Sequence, residues 1–172
     1  MRKIILVGYM AVGKSTIGKI LAKKRQMEWV DLDKIIEEST KLSVTEIFKT
    51  KGEIYFRKQE HIEFKKLIQS EENLVISTGG GTPCYADNHL LLKGDNVVSI
   101  YLSASIDELY NRLKNNTAER PLVANQSEAE LKEFIAKNLF DRSYYYHQAT
   151  FKISTDSKSP ETIVAQIEAL LN

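Results

Sequence analysis

The chain has 172 residues, of which 42% are apolar, about one domain's worth and enough to build a core without disulfides or metal. Its one cysteine, Cys84, rules out a secreted disulfide scaffold and points to a reducing compartment. Twenty-four Lys and Arg against 23 Asp and Glu leave a net charge of +1, which argues against a general nucleic-acid binder.

An apolar run from Ile4 to Val7 is stopped by Gly8. It is too short for a signal peptide, and no later run reaches the roughly 18 residues of a membrane span, so a cytoplasmic chain with no membrane partner is expected. The run reads as a strand buried on both faces. Helical spacing follows from Ser15 through Ile17, Ile20 and Leu21. Trp29-Val30 with Leu32 forms a second strand, Ile35 and Ile36 mark a helix, and one long helix is expected from about Ser43 to Ser70. Leu74 to Ile76 and Val97 to Leu102 are the third and fourth strands. Ser105 and Glu108, in capping-box spacing, open a helix that ends near Leu113. Lys114 to Ser127 is polar and has no hydrophobic period. A helix from about Glu128 to Tyr145 and a strand at Phe151 to Ile153 follow. The last helix, Pro160 to Leu171, has Ser159 as its cap and Pro160 in its first turn. Strands alternating with helices predict a doubly wound α/β domain, a parallel sheet between helical layers.

Gly8-Tyr9-Met10-Ala11-Val12-Gly13-Lys14-Ser15 has the spacing of a phosphate loop, a glycine, four residues, then Gly-Lys-Ser. Gly8 and Gly13 permit conformations that turn successive N–H groups inward, making a nest for phosphate oxygens around Ala11 and Val12. The helix starting near Lys14 adds the positive end of its dipole. Lys14 reaches the β- and γ-phosphates, and the Ser15 hydroxyl ligates Mg²⁺. Thr16 serves helix packing, capping or a phosphate contact. The loop falls between a strand and a helix, as its mechanism requires, so nucleotide binding is expected.

A phosphate loop does not separate a kinase from a switch GTPase or an ATPase. Asp31 and Asp33 flank Leu32 at the end of the second strand, where open α/β sheets bind ligands. In an extended segment alternation puts both carboxylates on one side. One would hold Mg²⁺ through water while the other takes a proton from a substrate hydroxyl or orients it; equally, Asp33 would simply cap the next helix. Gly79-Gly80-Gly81 signals a backbone approaching a ligand or a neighbouring segment, or else a tight loop. Arg57 and Glu60 read as a surface pair of little worth. Arg112 reads as an adenine neighbour or as an ordinary helix charge. No Asn-Lys-x-Asp run is present, which disfavours a guanine-nucleotide switch. His61, His89 and His147 lack metal-ligand spacing, and the run Tyr144 to Tyr146 reads as packing.

Taken together, several segments resemble the shikimate kinases over nearly the whole chain. They are the loop Gly8 to Thr16, Asp31-Leu32-Asp33, Gly52 to Arg57 with Glu60, Thr78 to Gly81, Arg120-Pro121-Leu122, and Arg142 with Tyr146. The resemblance implies a P-loop NTPase of the nucleoside monophosphate kinase-like group, a three-layer α/β sandwich with a mostly five-stranded parallel sheet. It implies a single kinase domain over 1–172, with an acceptor-binding helical region at about 33–62 and a mobile lid at about 112–127. The implied activity is ATP-dependent phosphorylation of the 3-hydroxyl of shikimate, in aromatic amino-acid biosynthesis, with Mg²⁺ as cofactor and the chain acting as a monomer.

The site residues follow from the same resemblance. Asp33, Lys14 and Arg120 are implied as catalytic, with Asp33 meeting the shikimate hydroxyls as the base. Arg57 and Arg142 grip the shikimate carboxylate, which suits a planar bidentate donor better than a lysine. The Gly79, Gly80 and Gly81 backbone lines the acceptor pocket. Ser15 ligates Mg²⁺ directly, and Asp31 helps to organise it. ATP binding falls to Gly8, Ala11, Val12, Gly13, Lys14, Ser15, Thr16 and Arg120. The lid closes over both substrates and excludes water, while Arg120 stabilises charge on the transferring phosphoryl group. Two positions depart from the family, Ala11 where a further loop glycine is usual and Gln148 where a glutamate is common. Alanine takes positive φ only at a cost.

Overall fold

Five strands pair into one parallel sheet in the computed structural model, which describes residues 2–114 and 127–171. They are β1 (Lys3–Val7), β2 (Glu28–Asp31), β3 (Leu74–Ser77), β4 (Val97–Ser103) and β5 (Phe151–Ser154), in the order β2-β3-β1-β4-β5. The helices are α1 (Lys14–Arg25), α2 (Leu32–Thr40), α3 (Val44–Thr50), α4 (Glu53–Gln69), α5 (Ile106–Lys114), α6 (Glu128–Tyr146) and α7 (Pro160–Leu171). The sheet lies between two helical layers, as the alternation of strands and helices predicts.

Alternation along β1 divides the core. Ile4 and Leu6 pack toward Ile17, Leu21, Leu109, Ile163 and Ile167, whereas Ile5 and Val7 pack toward Ile36, Ile47, Phe56 and Phe64. Burying each such side chain is worth roughly 1.5–3 kcal/mol, so the central strand is anchored from both faces. β1 lies between β3 and β4, with Ile5 opposite Ile76 on one side and Ser99 on the other. The chain leaves β1 toward β2 and later passes it to reach β4. That reversal opens a crevice at the carboxyl ends of the strands, where such sheets bind their ligands.

Two expectations need correction. The single helix from Ser43 to Ser70 is two helices, because Lys51 and Gly52 interrupt it and Gly52 takes φ 84, a backbone that glycine supplies cheaply. Ile47 of α3 and Phe56 of α4 enter the same core, so the apolar period runs through the break and conceals it. Leu32, expected in the second strand, is the first residue of α2. Elsewhere the ends fall close to expectation. Ser105 and Ser159 accept the amides of Glu108 and Thr162, each at 3.2 Å, and a capping box of Ser127 with Glu130 opens α6. Most of the lid expected at 112–127, including Arg120, lies outside the described residues. Among the described residues no helix is long and apolar enough to cross a membrane.

Candidate active site

β1 runs directly into the phosphate loop. A Cβ on Gly8 (φ 146) would lie 2.4 Å from the Leu102 carbonyl oxygen, so only glycine fits there. Ala11 adopts φ 61, the left-handed conformation that costs a non-glycine residue about 1–2 kcal/mol. The departure from the family pattern therefore carries strain at Ala11. Ala11→Gly should relieve that strain but also loosen the unfolded chain by about 0.4–1 kcal/mol. The expected net change in urea-unfolding stability is a gain of about 0–1.6 kcal/mol, with the KM for ATP unchanged. A several-fold rise in that KM would mean that the Ala11 methyl itself contacts nucleotide.

Lys14 folds back across its own loop, its Nζ donating to the carbonyls of Gly8 at 2.8 Å and Tyr9 at 2.9 Å. The charge is thus held over the nest with the side chain largely buried. Ser77 ties the start of α1 to β3: its Oγ donates to the Lys14 carbonyl at 3.1 Å, and Trp29 Nε1 donates to that Oγ at 3.0 Å.

The aspartates differ from expectation in how they share a face. β2 stops at Asp31, and the residue that caps α2 is Asp31, whose Oδ1 accepts the Asp33 amide at 3.1 Å. Strand alternation therefore does not relate the two. Asp33 nonetheless enters the same cleft of about 330 Å³ from the first turn of α2, beside Lys14, Ser15, Thr78 and Gly79. The other oxygen of Asp31 accepts from Ser15 Oγ at 2.9 Å. A hydroxyl and a carboxylate meeting at the mouth of a phosphate nest are the hard oxygen donors that Mg²⁺ takes, so this donor set fits the ion. Burial pushes the Asp33 carboxyl from its ordinary 3.8 up to about 6, helped by the nearby Asp31 and Glu60 carboxylates and opposed by Lys14.

The three glycines after β3 each meet a different partner. A Cβ on Gly79 would lie 3.2 Å from both Asp33 Oδ1 and Glu60 Oε1. One on Gly80 would lie 3.4 Å from an Arg142 guanidinium nitrogen and 3.3 Å from the Met10 amide nitrogen. One on Gly81 would lie 2.8 Å from an Arg57 guanidinium nitrogen. The glycine turn is therefore a close approach, and it gathers Asp33, Arg57 and Arg142 beside the phosphate loop. Arg57 is no surface residue. Its guanidinium donates to Glu60 Oε2 at 2.9 Å, and Glu60 is fully buried and also accepts from Thr82 Oγ1 at 2.6 Å. Arg142 lies over the Tyr9 ring at 5.5 Å.

Sequence reasoning undervalued Tyr146. Its hydroxyl, kept protonated by burial, donates to the Gly80 carbonyl at 2.5 Å, and its ring stacks on Tyr101 at 5.0 Å. One turn of α6 thus carries both Arg142 and the residue that holds the glycine turn, an (i, i+4) spacing visible in the sequence. Arg112 donates to the Val12 carbonyl at 3.0 Å and to the Thr155 carbonyl at 3.1 Å. It lines a second cleft of about 290 Å³ with Val12, Gly13, Thr16, Lys158 and Pro160, so a plain helix-surface charge is the poorer description. Gln148 donates to the Tyr144 carbonyl at 3.3 Å on the exposed surface.

Residues 10–172 match the family model described as shikimate kinase. A shikimate kinase of Flavobacterium johnsoniae is 56% identical over 99% of both chains. The crystal structure of shikimate kinase from Bacteroides thetaiotaomicron is similar, at a TM-score of 0.90 and 34% identity over 99% of this chain and 98% of that one. So is the Acinetobacter baumannii enzyme in complex with shikimate, at a TM-score of 0.87 and 30% identity, covering 99% of this chain and 93% of that one. A phosphate nest beside two arginines and a half-buried aspartate, on a chain alike from end to end, leads to one assignment: the chain belongs to the shikimate kinase family.

Proposed function

We propose that the chain transfers the γ-phosphoryl group of ATP to the 3-hydroxyl of shikimate, giving shikimate 3-phosphate and ADP. In this reading the loop amides and Lys14 hold the β- and γ-phosphates, and the nucleoside extends into the cleft lined by Val12, Arg112 and Pro160. Ser15 and Asp31 would hold Mg²⁺, which when bound neutralises charge on the phosphate oxygens. Arg57 and Arg142 grip the carboxylate of shikimate, and the Gly79–Gly81 backbone lets the ring approach. The bond from the γ-phosphorus to the ADP oxygen breaks as the bond to the acceptor oxygen forms, and Asp33 takes or orients the hydroxyl proton. Arg120 keeps the role of stabilising the transferring group. The domain is read as one kinase unit with its acceptor region at about 33–62.

The observation that carries this reading is the convergence of Asp33, Arg57 and Arg142 on one glycine turn beside the phosphate loop. A cytoplasmic, monomeric enzyme without nucleic-acid or membrane partners belongs to the same reading. It is supported by the lone thiol and near-neutral charge. The test is ADP release over a panel of hydroxy-acid and nucleoside monophosphate acceptors. Shikimate should give turnover well above the no-acceptor background, and a flat response to it would end the assignment.

Substitution of the clamp must allow for Glu60. Arg57→Ala would strand a buried carboxylate at about 3–5 kcal/mol. Arg57→Lys keeps a charge beside Glu60 but loses the two-pronged geometry. It should raise the KM for shikimate about 10-fold, equivalent to about one charge-assisted hydrogen bond, with the KM for ATP unchanged. Steady-state kinetics with each substrate varied in turn would check this.

A further inference from the structure

The turn that follows the three glycines is built around Arg57, and one of its residues touches the guanidinium from a side the catalytic groups leave open. Tyr85 sets its ring 4.1 Å from the Arg57 guanidinium carbon, well inside the distance at which a cation is attracted to an aromatic face. Glu60 holds one edge of the same group, and the Gly81 backbone lies close against it. Arg57 retains 17% side-chain exposure, so the ring also removes water from a charge that would otherwise be more solvated.

The presentation of Tyr85 is itself constrained. The two residues after it, Ala86 and Asp87, take φ 49 and φ 57, consecutive left-handed conformations in residues other than glycine. Such strain persists only where the surroundings fix it. Here they do: Asn88 is fully buried, its amide nitrogen donates to the Tyr85 carbonyl at 3.0 Å and its Nδ2 to the Thr82 carbonyl at 2.9 Å. Asn88 Oδ1 also pairs with His61 Nδ1 of α4 at 2.8 Å. Thr82 in turn donates to Glu60. The turn therefore holds Arg57 twice, through a ring on the guanidinium and through the carboxylate that the guanidinium grips.

We propose that Tyr85 is a positioning residue for acceptor recognition, fixing the plane of the Arg57 guanidinium so that its paired N–H groups meet the acceptor carboxylate edge-on. This rests on the reading of Arg57 as the carboxylate clamp. A bidentate contact depends on orientation as well as charge, so loss of the ring acts on acceptor affinity and leaves nucleotide binding alone.

Tyr85→Leu and Tyr85→Phe, each made in the parent and in Arg57→Lys, test the idea by calorimetric titration of shikimate and by steady-state kinetics. The Leu variant should weaken shikimate about 3- to 30-fold, the range for a partly desolvated cation–ring contact, with kcat and the KM for ATP within twofold of parent. The Phe variant should restore the parent affinity, because the face of the ring and not its hydroxyl is used. In the Arg57→Lys chain the Leu substitution should add less than half its effect in the parent. Unchanged shikimate affinity in Tyr85→Leu, a Phe variant as weak as Leu, or an undiminished effect in the Arg57→Lys chain would each overturn the proposal. A parent that binds no shikimate would remove the clamp reading and this proposal together, whereas a parent that binds with an indifferent Tyr85 would remove this proposal alone.

Discussion

Asp33→Asn should lower kcat by about 10²–10⁴-fold, the contribution of a positioned general base, with the affinities for ATP and shikimate changed far less. The same substitution should also make the fold more stable at neutral pH. Asp33 titrates at about 6 in the folded protein against an ordinary 3.8, with burial the main cause. A carboxyl with a raised folded value binds its proton more tightly in the native state than in the unfolded chain. The stability this contributes is complete below 3.8 and is lost as pH rises through about 6. Ionising the half-buried group therefore costs up to about 3 kcal/mol at neutral pH, two pH units at about 1.4 each. Asparagine carries no such charge, so its Tm should match the parent's near pH 3.5 and exceed it by roughly 6–12 °C above pH 7. The parent's kcat/KM should fall on the acid side with a midpoint near 6, and that limb should vanish in the variant. Normal turnover in Asp33→Asn would take the carboxylate out of the chemistry.

Lys14→Ala should reduce kcat/KM for ATP by about 10²–10³-fold, as removal of one preorganised charge-stabilising donor does. The reason is geometric as well as electrostatic. Lys14 Nζ also braces the Gly8 and Tyr9 carbonyls, so the variant loosens the nest whose amides must face phosphate. Leaving those carbonyls unsatisfied should cost about 1–3 kcal/mol in urea unfolding. Shikimate binding without nucleotide should survive, because Arg57, Arg142 and Asp33 hang from other elements. Parallel loss of shikimate affinity would show that the two halves of the cleft are not separable.

The nucleotide half was readable because its chemistry is local. Eight consecutive residues set the nest, the lysine and the hydroxyl, and even the Ala11 departure is resolved by one backbone angle. The proposed acceptor half depends on distance in sequence. Arg57 reads as an exposed (i, i+3) pair until the fold buries Glu60 beneath it, and no periodicity announces that burial. The turn from Thr82 to Asn88 left no signal, since 3₁₀ geometry and left-handed residues follow neither the helical nor the strand period. Strand alternation failed at Asp33 because β2 ends at Asp31, one residue earlier than the apolar pattern implied, and α2 begins at Leu32.

The link from Tyr146 to the Gly80 carbonyl spans 66 residues, and it bears on how the molecule is made. The phosphate loop rests on Ser77 of β3 and Leu102 of β4, whereas the glycine turn of the proposed acceptor pocket is not pinned until α6 docks. Contacts so distant along the chain are formed late, after the loop-closure entropy has been met. On the proposed clamp, a nascent chain would therefore fix its glycine turn only once α6 has emerged and docked, so acceptor binding would report that docking step.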